Sequence, residues 1–341
     1  MIRRFPEAFL MLQLFSFPFS AMATACTVHM YGDDSIAVEA AAEAAITEVM
    51  RIEKRYSRYR ADSVLTEINN AAQCAGSITV DDETAGLLDY AYACYLRSNG
   101  LFDITSGILR RIWDFKSGRL PDRTAIDDLL PRIGLANVSW ERPRLTFPKG
   151  GMELDFGGIG KEYAADQAAA VCTALGIRHG LIDLGGDIAV IGPHPNLTAW
   201  NVGIRHPRAP KARIGSVLVD KGALASSGDY ERYMEIDGHR YCHILDPITG
   251  WPSHGLAAVS VIADSCLVAG TISTIAMLKG REGISWLSGL GFKHLFVDED
   301  GVCGGNMLPT APRTEANRRD GAPNRAFSDP RETRCAFRPK R

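Results

Sequence analysis

The sequence predicts an α+β fold in which mixed and antiparallel sheets pack against helices. Apolar residues at helical spacing come in separated blocks, and short β-rich pieces meet around glycine turns as hairpins. The centre of the chain mixes the two signals instead of alternating one strand with one helix, as a doubly wound parallel sheet would.

The first element is a strand in "FPFSAMATACTVHMYG", residues 17–32, where Cys26, Val28 and Met30 alternate with Thr27, His29 and Tyr31. Asp33 and Asp34 can cap a helix whose apolar positions Val38, Ala42, Ala45, Val49, Ile52 and Tyr56 step by four and three. That helix delivers the chain to "RYSRYRADSVLTEIN". A second helix, around Leu87, Leu88, Ala91 and Tyr95, stops at Gly100, and "GLFDITSGILRRIWDF" follows as a junction.

In the centre, "MELDFGGIG" reads as an apolar strand running into glycines. The helix "KEYAADQAAAVCTALG" follows, with Ala164, Ala168, Val171 and Leu175 on one face and Gly176 ending it. "LIDLGGDIAVIG" reads as two strands around a tight turn. Further strand-like pieces are "WNVGIRHP", "ALASSGDY", "YMEIDGHRYCHILDP" and "AAVSVIA". A last helical region, "SCLVAGTISTIAMLKG" with "REGISWLSGLG", leads to a final strand in "KHLFVDEDG". This divides the chain into an N-terminal extension (1–16), one domain (17–308) and a Pro/Arg-rich tail (309–341) expected to be disordered.

The chain has 341 residues, 46% hydrophobic and 23% charged, and a formal net charge of -2, which gives no reason to expect nucleic acid as a partner. Glu7, Gln13 and Pro18 interrupt the only apolar run that approaches a membrane span. The eight cysteines form no CxxC pair and no Cys/His cluster, which argues against a zinc site or a redox dithiol; paired disulfides stay open, but dispersed among apolar segments the cysteines fit free thiols in a reducing compartment somewhat better.

Two stretches could carry chemistry. In "LDFGGIGKEY" glycines let backbone amides approach an anion, and Lys161 near the helix start adds positive charge suited to phosphate. The spacing is neither a Walker A loop nor GxGxxG, so alone it reads equally as a tight strand-to-helix turn. In "HILDPITG", Asp-Pro-x-Thr-Gly is turn chemistry, and His243 before it could be a base, a phosphate contact or a core histidine.

Taken in order, "RYSRYRADSVLTEIN", "LFDITSGILRRIW", "LDFGGIGKEYAAD", "LIDLGGDIAVIG", "ALASSGDYERY", "HRYCHILDPITGWP" and "AGTISTIAMLKG" resemble the ApbE family of FAD:protein FMN transferases over about residues 17–305. The resemblance implies an ApbE-like, T-fold-like architecture. It also implies protein flavinylation: a transferase that takes FAD as substrate, splits its pyrophosphate with the help of Mg2+ and joins FMN by a phosphoester bond to a Thr or Ser of an acceptor flavoprotein subunit, releasing AMP. Such a reaction needs charge neutralised on the pyrophosphate and a positioned hydroxyl.

By the same resemblance, Met22, Tyr59, Leu101, Phe102 and Asp103 line the flavin site, Asp155 and Lys161 flank the nucleotide, and Ile244 completes the pocket beside His243. His243 and Asp246 are the catalytic candidates, and the Gly158 carbonyl and Thr274 hydroxyl are the metal candidates. One departure stands out. The family usually has an aspartate four residues before this threonine and often an acid directly before it, whereas this chain has Gly270 and Ser273. Mg2+ favours carboxylate oxygen. Either the metal enters with FAD, or another acid such as Asp246 or Asp264 substitutes, or the chain binds FAD without transferring it. FAD pyrophosphatase and FAD carrier are therefore the alternatives to transferase.

"AMATAC" also raises cleavage after Ala23 or lipidation at Cys26. The family motif at the start of the first strand matches Met22, Ala23 and Thr24, and the apolar region before it is short and carries Glu7. A cytoplasmic location is expected, with Met11 as an alternative start and a periplasmic, exported or lipid-anchored form as the alternative.

Overall fold

The structure is a computed structural model that describes residues 12–307 and 333–334. In chain order, a hairpin of β1 (Gln13–Ala21) and β2 (Thr24–Gly32) precedes α1 (Ser35–Tyr56) and α2 (Val64–Gln73). Then come β3 (Ser77–Thr79), α3 (Asp82–Arg97), a 3-10 segment (Ile104–Arg111), α4 (Arg123–Leu129), β4 (Ser139–Glu141), β5 (Arg144–Thr146) and α5 (Gly160–Ala174). The second half begins with strands β6 (Gly180–Leu184), β7 (Asp187–Gly192), β8 (Trp200–Arg205), β9 (Arg213–Val219) and β10 (Ala223–Gly228). It continues with β11 (Tyr233–Ile236), β12 (His239–Cys242), β13 (Leu256–Ala263), α6 (Cys266–Lys279), α7 (Glu282–Leu290), β14 (Lys293–Asp298), β15 (Val302–Gly305) and β16 (Thr333–Arg334).

The main sheet runs β1-β2-β6-β7-β10-β13-β14-β15-β16, and each neighbouring pair is antiparallel. Period-2 alternation gives it two apolar faces. Ile182, Leu184, Ala225 and Val259 pack with α1, α5 and α6. Leu181, Ile188, Leu224 and Leu295 pack under the β8–β9 hairpin. The α+β class is as expected.

Every residue of the α1 face read from spacing is buried, and Asp34 is the N-cap, its carboxylate accepting from the Ile36 and Ala37 N–H groups. Val49 and Ile52 are completely buried. Each contributes roughly 1.5–3 kcal/mol by leaving water, so α1 is a firm base for the "RYSRYR" turn that follows it. Gly185 and Gly186 take positive φ (70° and 100°) between β6 and β7, as a two-residue hairpin demands.

Four expectations are corrected. First, the opening strand is a hairpin: β1 starts at Gln13, ahead of residue 17, and pairs with β2 from Gln13↔Gly32 to Ala21↔Thr24. Phe15, Phe17 and Phe19 pack against the core on alternate positions. Pro18 is tolerated because β1 is the sheet edge.

Second, Met152, Glu153 and Leu154 of "MELD" are buried, but the segment is not a strand. Its backbone is satisfied by side-chain amides: Asn69 bonds both Leu154 N–H (2.7 Å) and Leu154 O (3.0 Å), and Gln73 Nε2 donates to Met152 O (2.8 Å).

Third, Leu175 is 56% exposed, and the buried face of α5 is Ala164, Ala165, Ala168, Ala169 and Cys172 with Glu162.

Fourth, Cys303 is disulfide-bonded, while Cys26, Cys74, Cys94, Cys172, Cys242 and Cys266 are free. The expected disordered tail lies outside the described residues except for β16, which pairs with β15. Residues 1–11 of the expected extension, with the alternative start, also lie outside them. Among the described residues no helix is long and apolar enough to cross a membrane.

Candidate active site

The β1–β2 turn is built by Met22 and Ala23, both left-handed at φ 51° and 60°. This is the conformation that a tight hairpin needs and that L residues adopt at a cost. The turn is held from α1, where Glu53 Oε1 accepts the Met22 N–H at 2.7 Å. Thr24 sits against the β6–β7 turn, since a Cβ on Gly185 would collide with its side chain. Two hairpin turns thus stack at one end of the sheet.

Beside them opens a cavity of ≈ 530 Å³, within the range of cofactor sites. It gathers Met22, Tyr59, Leu101, Phe102, Asp103, Asp155, Gly158, Lys161, His243, Ile244 and Thr274 from distant parts of the chain. Every expected site residue lines it except Asp246. That carboxylate is held in the following turn, accepting from Ile248 N–H at 2.7 Å and Thr249 N–H at 3.4 Å, as an Asx-turn does. Asp264 is exposed and is not among the lining residues.

The individual side chains differ in how free they are. Tyr59 is 82% exposed at the cavity, with the Arg58 guanidinium 5.8 Å from its ring centre. Asp103 is buried and its carboxylate is committed to Thr105 N–H (2.7 Å), Thr105 Oγ1 (2.6 Å) and Leu135 N–H (2.9 Å). Burial nevertheless raises its pKa. Phe102 packs on Gly158, whose Cβ position would lie 3.3 Å from the ring. Asp155 pairs with Arg58 at 3.0 Å and Arg110 at 3.3 Å, so two guanidiniums stand at the cavity under one carboxylate.

Lys161 and Asp187 form an ion pair at 2.7 Å. Burial works against the Lys161 ammonium, but the charges of Asp187 and Glu162 overcome it and its pKa rises. His243 is pushed down to about 4 by burial and by the positive charges of Arg110 and Arg232, and its Nδ1 has no hydrogen-bond partner. On the α6 side, Ser227 Oγ bonds Ser273 Oγ (2.8 Å) and Thr274 Oγ1 (3.0 Å), and Ser273 also donates to Gly270 O (2.9 Å). Asp166 of α5 caps α6 through the Cys266 and Leu267 N–H groups at 2.7 and 2.9 Å, which locks the two helices together.

Sequence reasoning missed Glu53, Arg58, Arg110, Glu162, Asp187 and Ser227. Asp187 carried a weak signal, since it directly follows the Gly-Gly turn. The others are ordinary helix, strand or turn residues until the fold brings them to the cavity.

Among the described residues no three His, Cys, Asp or Glu side chains are grouped to cage a metal. The cavity does present a hydroxyl at Thr274, and Glu162 Oε2 is buried with no partner. An oxygen set of this kind fits Mg2+ that is shared with substrate phosphates.

Comparison with known proteins gives a consistent picture. The family model described as "ApbE family" matches residues 22–296. An FAD:protein FMN transferase of Treponema pallidum is 32% identical over 281 residues, covering 76% of this chain and 77% of that protein. The ApbE protein of Thermotoga maritima superposes with a TM-score of 0.79 at 31% identity, covering 86% of this chain and 97% of that one. The apo flavinyl transferase ApbE of Pseudomonas stutzeri superposes with a TM-score of 0.75 at 29% identity, covering 85% and 92%.

Proposed function

This chain belongs to the ApbE family, and we propose that its cavity performs the reaction for which its relatives are named, moving FMN from FAD to an acceptor protein. The observation that carries this reading is the convergence of Met22, Lys161, His243 and Thr274, from four separate parts of the chain, on one cavity of cofactor size. A pyrophosphatase or a passive FAD carrier is not favoured, because the Treponema pallidum and Pseudomonas stutzeri relatives are named as transferases.

In this reading the isoalloxazine lies beside Met22, Leu101 and Phe102, with exposed Tyr59 free to close over it. Lys161 and the Arg110 guanidinium face the pyrophosphate, where positive charge stabilises a transition state with growing negative charge on oxygen. The acceptor is a Thr or Ser. Its hydroxyl oxygen forms a bond to the FMN phosphorus, the P–O bond to the AMP half breaks, and AMP leaves with the bonding electrons. His243 is neutral at neutral pH and takes the hydroxyl proton or contacts the phosphates; bound phosphate charge raises its affinity for that proton. Asp246 acts as a positioning residue, since its carboxylate shapes the turn after His243.

Thr274 Oγ1 and the Gly158 carbonyl are the groups assigned to Mg2+. When bound, the ion would neutralise charge on the pyrophosphate. Processing after Ala23 or at Cys26 would take β1 from the sheet, which favours a cytoplasmic location, whereas the Cys303 disulfide favours an oxidising one, and the N-terminal mass of the native chain decides between them.

The test is a matched acceptor pair. An acceptor with its target Thr replaced by Val must yield neither labelled protein nor acceptor-dependent AMP. Equal AMP release from both acceptors would point to hydrolysis instead.

A further inference from the structure

On α6, Gly270 stands one helical turn before Thr274 and on the same face. A Cβ placed there would lie 2.5 Å from Glu162 Cγ, 3.0 Å from Cδ and 2.9 Å from Oε1. The space above Gly270 is therefore filled by the side chain of Glu162, reaching across from the first turn of α5.

Glu162 is an unusual carboxylate. It is 8% exposed, lines the cavity, and its Oε2 is fully buried without a hydrogen-bond partner. Leaving a buried carboxylate ionised and unpaired is costly, so such a group either takes up a proton or is completed by an ion or a ligand. Lys161, its chain neighbour, does not complete it, because its ammonium is paired with Asp187 at 2.7 Å.

We propose that Glu162 supplies the carboxylate ligand for the divalent cation, entering from α5 into the place where an α6 carboxylate at position 270 would otherwise stand. The inference rests on the transferase reading. It changes the meaning of Gly270, which becomes the vacancy that lets the Glu162 side chain in. The Asp166 cap on α6 keeps α5 and α6 in the register that this exchange needs.

The side-chain swap tests it. Cation affinity is read with Mn2+ by electron paramagnetic resonance, with ADP present as the pyrophosphate source, on the full chain and four variants, one of them Glu162→Gly alone. Glu162→Gln should keep its fold and lose at least about tenfold in Mn2+ affinity. Gly270→Asp alone should not tighten binding, because the new side chain meets Glu162. The double variant Glu162→Gly with Gly270→Asp should recover most of the lost affinity.

Wild-type Mn2+ affinity in a folded Glu162→Gln would overturn the proposal, as would a folded double variant no better than Glu162→Gly alone. Because the readout is cation binding, it is separable from the transferase reading. A chain that binds Mn2+ through Glu162 yet transfers no flavin would sink that reading and keep this inference.

Discussion

Glu53 on α1 and Met22 in the β1–β2 turn are joined by a 2.7 Å hydrogen bond from the Met22 N–H to Glu53 Oε1. The bond fixes a turn whose two central residues are left-handed without being glycine. Glu53→Ala removes it. The expected result is a loss of about 1–2 kcal/mol in urea unfolding, with a several-fold rise in KM for FAD and a smaller change in kcat. An unchanged KM would detach the turn from the flavin site.

Lys161 and Asp187 make a second testable pair. Lys161→Met removes positive charge at the pyrophosphate and should lower the transfer rate by about 100-fold, measured in single-turnover labelling. Asp187→Ala leaves the ammonium without its partner and should cost about 2 kcal/mol, because Asp187 is buried while Lys161 keeps part of its surface in water.

Tyr59 separates binding from folding. At 82% exposure its side chain adds little to stability, so Tyr59→Ala should unfold within about 0.5 kcal/mol of wild type. FAD affinity, followed by flavin fluorescence, should nevertheless fall. If both are unchanged, Tyr59 is only a surface residue.

His243 sets a pH dependence of known sign. Its folded pKa is about 4 against an ordinary 6.5, so between those values the unfolded chain binds a proton that the native chain refuses. This contribution to stability is full above pH 6.5 and is lost as pH falls toward 4. His243→Asn should therefore lose less stability than wild type between pH 7 and pH 5 in denaturant titrations. Identical slopes would contradict the burial of a neutral imidazole.

Much of the fold was legible because periodicity reports burial directly. The α1 face from Val38 to Tyr56 and the β6–β7 hairpin around Gly185 and Gly186 are where spacing and turn chemistry place them. β1 was hidden because residues 17–32 read as one opening strand with 1–16 as an extension, although Phe15, Phe17 and Phe19 alternate as an edge strand does. "MELD" misled because an apolar run does not name its partner, which here is a pair of side-chain amides on α2.

The site divides in the same way. Segment order pointed to Lys161, His243 and Thr274, and all three line the cavity. Glu162 was invisible, since an acid in the first turn of a helix is ordinarily solvated. Only the missing side chain at Gly270, far along the chain, makes room to bury it.

The central claim is most directly tested by incubating the purified chain with FAD, Mg2+ and an acceptor domain bearing a surface Thr or Ser, then separating the products by denaturing electrophoresis. The account predicts flavin fluorescence that stays with the acceptor band, with one AMP released for each flavin attached. Free FMN and AMP without a labelled band, or FAD recovered intact, would contradict it.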